Sequence, residues 1–329
     1  MRRARLITRG QEAAYHCMSR TVAGQFLLGK LEKDVFRQRM IKLAQFCQVQ
    51  VQTHCSLSNH FHIVLKVPAQ VRLSDEQLLK ALERFYGPKD PRPAQFAKAQ
   101  ADPTSPLLEQ LRAKYLARMG DLSVFMKELK ESFSKWYNAR HDRFGTLWAE
   151  RFKSVLIANC WEVILVVCAY VDLNALRAGL VKDPKDYRFC GYAEALARDG
   201  PARQGLESFL PGPTWREKSA YYRQALYCKG EWARKERQAC VDPHEALKVL
   251  ETGGELGQGE LLRLKVRYFS EGIALGTAQF VSEVFRKHWQ RHCVKRRRVG
   301  APLRGADWKG WLTLRQISQP IEVAKPNKH

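Results

Sequence analysis

A strand–turn–strand pattern between residues 49 and 67 constrains the fold of this chain more than any other feature. In its first half, small or apolar residues alternate with polar ones, the period of a half-buried strand: Val49, Val51, Thr53 and Cys55. A tight turn is predicted at residues 58–59, and residues 61–67 have the composition of a second strand. The segment therefore predicts a β-hairpin, and with it an antiparallel sheet.

Helices and further strands are predicted on both sides of this hairpin. Apolar residues recur at helical spacing over 31–47 and 121–139, and residues 13–19 and 151–157 have strand composition. Between residues 70 and 120, five prolines interrupt two short helical stretches, which indicates an insertion. This order of elements predicts an α+β domain in which helices flank an antiparallel sheet.

A further helix is predicted over residues 160–178, with signals at both ends. Asn159 can cap its first turn, and Glu162 follows three residues later at the capping-box position. Gly179 suits the left-handed turn that ends many helices.

Three regions are predicted along the chain: a domain over residues 1–195, a linker with a helical segment over 196–255, and a basic C-terminal region over 256–329. Two helix-like runs around Gly272 and Gly276 suggest a small helix-turn-helix DNA-binding unit in the third region. The C-terminal extension is therefore expected to be mainly helical.

The charge balance points to a polyanionic partner. Lys and Arg number 56 against 33 Asp and Glu, which gives a formal net charge of +23. Lysine and arginine contacts to phosphates release counterions, so such a chain favours nucleic acid, although charge alone does not separate DNA from RNA or from an acidic membrane. One basic run is either a solvated tail or a nucleic-acid contact: Lys295, Arg296, Arg297 and Arg298.

Cysteine usage indicates a reducing, cytoplasmic setting. The nine cysteines include no Cys-x-x-Cys pair and lie mostly inside apolar runs, which argues against a zinc ribbon or a disulfide framework. No apolar stretch follows the basic N-terminus, so a signal peptide is not expected. The longest apolar run, residues 163–171, is too short to span a bilayer, and no membrane partner is expected.

The triplet His60-Phe61-His62 predicts a site for a divalent cation. Residues two apart on a strand project from the same face, so the two histidines can bind one ion while Phe61 enters the core. Tyr170 and Asn174 lie one helical turn apart, roughly 6 Å along the axis, and their oxygens could meet the histidine pair. Nitrogen and oxygen ligands together favour Mg²⁺ or Mn²⁺ over structural zinc. The alternative interpretation is a chance pair of surface histidines and a core tyrosine.

Four ordered segments resemble the HUH-superfamily tyrosine transposases associated with repetitive extragenic palindromes. Residues 14–20 resemble the opening strand of that family, and residues 57–65 resemble its metal-binding strand. Residues 145–154 resemble its basic segment, and residues 169–181 resemble its catalytic-tyrosine helix. The sequence departs from the family pattern at Ser58 and Ala175, where prolines are usual, and neither position is a ligand.

The resemblance implies a ferredoxin-like antiparallel sheet flanked by helices, the HUH fold. It also implies that His60, His62 and Asn174 hold Mg²⁺ or Mn²⁺, and that Tyr170 attacks a DNA phosphodiester to leave a 5′-phosphotyrosine link. Covalent catalysis of this kind conserves the bond energy, so another strand end can be rejoined. Single-stranded or hairpin (palindromic) DNA is the expected substrate, and the family includes both monomers and homodimers.

Several neighbouring residues extend these predictions. Phosphate contacts are predicted for Arg20, Arg151, Lys153 and Arg177, in addition to the run at 295–298. Tyr187 and Tyr192 are competing nucleophiles, although the segment that carries them is less regular.

Three alternatives to a transposase remain at this stage. One is a domesticated DNA-binding protein that no longer moves DNA, and another is an HUH endonuclease of the relaxase or replication-initiator type. The third is a zinc hydrolase built on the histidine pair, which lacks an evident cluster of further ligands.

Overall fold

The computed structural model describes residues 6–102, 106–198, 200–227, 258–263, 266, 268–289 and 300–314. In these residues, seven strands form one sheet, numbered in chain order: β1 Ala13–Arg20, β2 Gln50–Ser56, β3 His60–Val67, β4 Lys153–Ile157, β5 Ala274–Gly276, β6 Ala301–Pro302 and β7 Leu312–Thr313. Their order across the sheet is β2-β3-β1-β4-β5-β7-β6. Every neighbouring pair is antiparallel except β4 and β5, which are parallel. The predicted α+β architecture and the β2–β3 hairpin are confirmed.

Helices cover both faces of the sheet. Over the described residues they are α1 Lys30–Cys47, α2 Asp75–Tyr86, α3 Pro91–Gln100, α4 Pro106–Leu116, α5 Leu122–Arg140, α6 Trp161–Asp172, α7 Asn174–Arg177, α8 Gly191–Ala197, α9 Pro201–Glu207, α10 Trp215–Tyr227, α11 Gln258–Arg263, α12 Tyr268–Glu271 and α13 Ala278–Trp289. The core on one face is built on α1 and α5, and the core on the other face is built on α6. Alternate residues of β3 enter the two cores, with Phe61 and Ile63 on the α1 side and Val64 on the α6 side.

The segment between residues 70 and 120 contains three helices, α2, α3 and α4, where two short stretches were predicted. Two of the five prolines do not interrupt these helices, because Pro91 and Pro106 are the first residues of α3 and α4. Proline is well tolerated there, since the first N–H groups of a helix have no partner inside the helix. Ser74 is the N-cap residue of α2 and forms a capping box with Gln77.

The helix predicted over residues 160–178 is divided at Leu173 into α6 and α7. Cys160 occupies the N-cap position of α6, and the Asn159 side chain instead donates to the Glu12 carboxylate at 2.9 Å. The Asn159 capping prediction is therefore wrong, because a salt-bridged partner outside the helix takes its amide. Gly179 has a φ of 70°, as predicted for the left-handed turn.

The predicted helix-turn-helix segment differs from the structure. Between α12 and α13, residues Ala274–Gly276 form β5, which pairs in parallel with β4 and extends the sheet. Both glycines permit close packing here. A Cβ on Gly276 would lie 2.4 Å from the Ala158 Cβ, and one on Gly272 would lie 2.7 Å from the Thr313 Oγ1. The boundaries proposed for the three regions stay a prediction.

In the part of the chain that the structure describes, no helix combines the length and the apolar character needed to cross a membrane.

Candidate metal and tyrosine site

His60 and His62 lie together on one face of β3, as predicted. Their ring centroids are 5.3 Å apart, whereas Phe61 between them packs into the opposite core, 4.6 Å from the Phe36 ring. His62 is buried, with 6% of its surface exposed, and His60 is half-buried at the start of the strand. Within the pair, His62 therefore lies toward the core and His60 lies toward solvent.

A third histidine, His16, joins this pair from the neighbouring strand β1. Its Nε2 lies 2.8 Å from Nδ1 of His62, and the two rings stack at 5.0 Å. Its Nδ1 lies 2.6 Å from the carbonyl oxygen of Phe269 in α12. Sequence reasoning missed His16, because only the pairing of β1 with β3 reveals that it lies beside His62. A histidine within an apolar strand was the one available signal.

The two buried histidines are neutral at physiological pH. Burial lowers the pKa of His16 to about 4, and the charge of nearby Arg177 acts in the same direction. Burial also lowers the pKa of His62 well below its ordinary value, with further contributions from His16 and His60. A neutral imidazole is the form that binds a metal ion or accepts a proton.

Asn59 orients the ring of His60. The Asn59 amide nitrogen donates to the carbonyl oxygen of Gly24 at 3.1 Å, which directs its Oδ1 toward Nδ1 of His60 at 2.6 Å. An amide oxygen only accepts, so Nδ1 of His60 carries the proton. In the neutral ring, Nε2 is then the unprotonated nitrogen.

This donor set fits a divalent cation in part. Histidine ligands of metals usually donate their second ring N–H to an acceptor, and His60 does so to Asn59. Within the described residues, however, no group of three or more His, Cys, Asp or Glu side chains is arranged to hold a metal ion. A cation at His60 and His62 would take its other ligands from an amide, from water or from a phosphate.

Tyr170 lies against the same histidines. Its ring meets the rings of His16 and His62 edge-on, with centroids 6.1 Å and 6.5 Å apart. The guanidinium of Arg177 lies 4.0 Å from the ring centroid, and the Phe269 ring lies 4.8 Å from it. The structure thus brings the predicted tyrosine beside His62, with 3% of the tyrosine exposed.

Asn174 has a structural role that explains its place in a helical segment. Its amide nitrogen donates to the carbonyl oxygens of Val171 at 3.0 Å and Tyr170 at 3.4 Å, at the end of α6. Both carbonyls belong to the last turn of α6, where the regular helical pattern of hydrogen bonds ends, so the contact stabilises the break between α6 and α7. The predicted metal role of Asn174 stays a prediction.

The predicted DNA contacts occupy different surroundings. Arg20 and Arg151 are exposed, and Lys153 pairs with the Glu150 carboxylate at 2.7 Å. Arg177 is half-buried, and its guanidinium donates to the carbonyl oxygens of Leu262 and Tyr170 at 2.7 Å and 2.6 Å. These contacts fix the side chain against the protein, and its phosphate contact stays a prediction. The remaining predicted contacts lie outside the described residues: Lys295, Arg296, Arg297 and Arg298.

The two competing tyrosines are both buried in other surroundings. The Tyr187 hydroxyl donates to the Ser56 carbonyl oxygen at 2.7 Å, and the Tyr192 ring packs 5.6 Å from that of Tyr222. Burial raises the pKa of Tyr192 to about 12, which disfavours a phenolate nucleophile. Both side chains are accounted for by packing and hydrogen bonds.

Comparison with known proteins gives only distant structural similarity. No family model matches the chain, and no curated protein matches it with significance. A solved structure described as a REP-associated tyrosine transposase bound to a REP hairpin is similar over 60% of this chain and 86% of that chain, at 16% identity and a TM-score of 0.38. A similarity of this size says nothing about activity.

Proposed function

We propose that this protein is a DNA-processing enzyme that cleaves and rejoins single-stranded or hairpin DNA, with Tyr170 as the nucleophile. The observation that carries the proposal is the edge-on contact of Tyr170 with His62, whose ring lies 5.3 Å from that of His60. A phenol beside two imidazoles is the group set needed for covalent attack on a metal-bound phosphodiester.

The residues of the site divide this chemistry between them. A Mg²⁺ or Mn²⁺ ion bound by His60 and His62 would polarise the scissile phosphodiester and offset charge on its oxygens. The Tyr170 phenol releases its proton to water as its oxygen forms a bond to phosphorus. The bond from phosphorus to the 3′ oxygen breaks, and that oxygen takes up a proton and leaves as a hydroxyl. Arg177 and Phe269 hold the tyrosine ring during attack, because both contact it directly.

Two loops meet at the end of the sheet where β3 begins, and they support the choice of partner. The backbone N–H of Thr21 donates to the Asn59 carbonyl oxygen at 2.9 Å, and that of Val22 donates to the Leu147 carbonyl oxygen at 2.9 Å. The segments after β1 and before β4 therefore lie beside the turn that precedes His60.

These loops present aromatic and basic side chains to solvent. Phe26 is 79% exposed and Phe144 is 89% exposed, and Arg20 and Arg151 are exposed close to them in sequence. Aromatic rings stack on unpaired bases while arginines contact the phosphates, a combination that suits single-stranded DNA. Both phenylalanines belong to the loops beside the turn before His60, where their rings are accessible to unpaired bases, so these loops favour a nucleic-acid substrate.

The burial of Tyr170 favours a second candidate, a DNA-binding protein that does not cleave. With 3% of its surface exposed, this tyrosine has the surroundings of a core residue packed against Phe269. In this candidate, packing is its whole role. The same basic and aromatic surface would then bind DNA without forming a covalent intermediate.

One assay separates the two candidates. Purified protein is incubated with Mn²⁺ or Mg²⁺ and labelled hairpins taken from the DNA that flanks its gene, and SDS-resistant adducts are resolved on a gel. We expect an adduct with the wild type and with the control Tyr187→Phe, and none with Tyr170→Phe. An unchanged adduct with Tyr170→Phe contradicts the assigned nucleophile. Hairpins that shift on a native gel but give no adduct with any variant support the binding protein.

A further inference from the structure

We infer that His16 is a positioning residue of this site: it holds His62 in the tautomer whose Nε2 is unprotonated, and so sets the affinity for the divalent cation. The inference rests on the proposed function, because the cation is part of that proposal. It assigns His16 a task that acts through His62 and needs no contact with DNA.

The direction of the hydrogen bonds follows from the group at one end. The Phe269 carbonyl oxygen can only accept, so Nδ1 of His16, 2.6 Å away, must donate to it. A neutral imidazole carries one N–H, which leaves Nε2 of His16 as an acceptor. Nδ1 of His62 lies 2.8 Å from that acceptor and must therefore carry its own proton. In the neutral ring of His62, Nε2 is then the nitrogen with the free electron pair.

The surroundings of His16 keep this chain of hydrogen bonds in place. His16 is fully buried on the central strand β1, and its ring stacks on that of His62 with a 28° angle between the planes. Water cannot supply a competing donor at a fully buried ring. This chain of hydrogen bonds begins at the Phe269 carbonyl oxygen in α12. A C-terminal helix therefore takes part in setting the tautomer of His62 on β3.

The two histidines of the predicted cation site reach the same tautomer by separate routes. His60 donates from Nδ1 to the Asn59 amide oxygen, and His62 donates from Nδ1 to His16. A shared cation requires one unprotonated nitrogen on each imidazole, and in both neutral rings that nitrogen is Nε2. The two tautomers of His62 have the same shape, so packing does not select between them and the hydrogen bond to His16 does.

The first test reads the tautomer in the wild-type protein without metal or DNA. Histidine is labelled with ¹⁵N, and long-range ¹H–¹⁵N spectra assign each ring, with His62→Gln identifying the His62 signals. We expect a protonated Nδ1 and an unprotonated Nε2 for His62. The opposite tautomer overturns the inference.

The second test measures Mn²⁺ affinity by titration calorimetry, also without DNA, for three variants. His16→Gln can place a carbonyl oxygen near the position of Nε2 and still accept from His62, so its affinity should stay within about threefold of the wild type. His16→Asn reaches only Phe269, and His16→Phe reaches neither partner, so both should bind Mn²⁺ about 10- to 100-fold more weakly.

As a control, thermal unfolding is measured for each variant, so that a general loss of structure can be told apart from a loss of Mn²⁺ affinity. Equal Mn²⁺ affinity in the wild type and the three His16 variants overturns the inference. An equal loss of Mn²⁺ affinity in all three variants also overturns it, and so does a wild type that binds no Mn²⁺. Both tests omit DNA, so a protein that forms no covalent adduct but shows the expected tautomer and affinity order refutes Tyr170 cleavage alone.

Discussion

Asp172 on α6 makes stability depend on pH in a way that can be calculated. Its carboxyl group is fully buried and accepts from the Thr53 hydroxyl at 2.9 Å, from the Tyr192 backbone N–H at 3.2 Å and from the Tyr222 hydroxyl. Burial raises the pKa of Asp172 from 3.8 to about 7, although the hydrogen bonds from Tyr222 and Thr53 oppose the shift. The folded protein therefore keeps a proton on this group near neutral pH.

Because the pKa of Asp172 is raised, the free energy of unfolding falls as the pH rises. Between about pH 4 and pH 7, folded Asp172 holds a proton that the unfolded chain has released, so raising the pH favours unfolding. The two pKa values differ by about three pH units, which corresponds to at most about 4 kcal/mol in the free energy of unfolding. Most of this loss, about 3 kcal/mol, falls between about pH 5 and pH 8.

The substitution Asp172→Asn replaces the carboxyl group with a neutral amide of nearly the same shape. We expect the free energy of unfolding of the wild type to fall by about 3 kcal/mol relative to Asp172→Asn from about pH 5 to pH 8. Urea unfolding followed by circular dichroism at several pH values measures this difference. Other titrating groups are common to both proteins, so they cancel.

A matched control is Glu76→Gln, which removes one negative charge from an exposed position on α2. Its free energy of unfolding should change with pH in parallel with that of the wild type, because an exposed side chain meets nearly the same solvent in the folded and the unfolded chain. If Asp172→Asn also runs parallel to the wild type, the carboxyl group is ionised in the folded protein and the reasoning from burial is refuted.

Two further predictions concern packing around the site. Arg177→Lys removes the planar group over Tyr170 and most of the hydrogen bonding to two backbone carbonyls. It should therefore lower the free energy of unfolding by about 1–3 kcal/mol, measured by urea titration. Unchanged stability would show that these contacts contribute nothing. Gly205→Ala would place a Cβ 2.2 Å from the Val51 carbonyl oxygen, whereas Gly200 has no atom within 4 Å of its added Cβ. Thermal unfolding should therefore show a loss of about 1–3 kcal/mol for Gly205→Ala and little change for Gly200→Ala, and equal effects would contradict the close approach.

Much of the fold could be predicted from the sequence, because the relevant patterns are local. The hairpin over residues 49–67 follows from alternation and a turn, and helix α1 follows from apolar residues at helical spacing. Errors arose where a local signal has two interpretations. Proline ends a helix in most positions but begins one at Pro91, and a glycine pair between apolar runs suits a helical turn as well as the tightly packed strand β5.

Those parts of the site that depend on local geometry could also be predicted from the sequence. His60 and His62 share a face because strand geometry alone decides it, and this held in the structure. Arg177 was expected to contact DNA because it is basic, yet its guanidinium is held by backbone carbonyls. Charge composition is a property of the chain, whereas the partner of each arginine depends on its position in the fold.

The sequence by itself determined the histidine pair, the strand that carries it and the helix that carries Tyr170. Tertiary structure alone decided which groups surround them. His16 reaches His62 across 46 residues, and Phe269 reaches His16 across 253 residues. Such contacts depend on strand register and on a C-terminal segment packing against the sheet, and no spacing within a single element encodes them. The physical reason is that periodicity specifies the face of an element, while the partner of that face is selected by the packing of the whole chain.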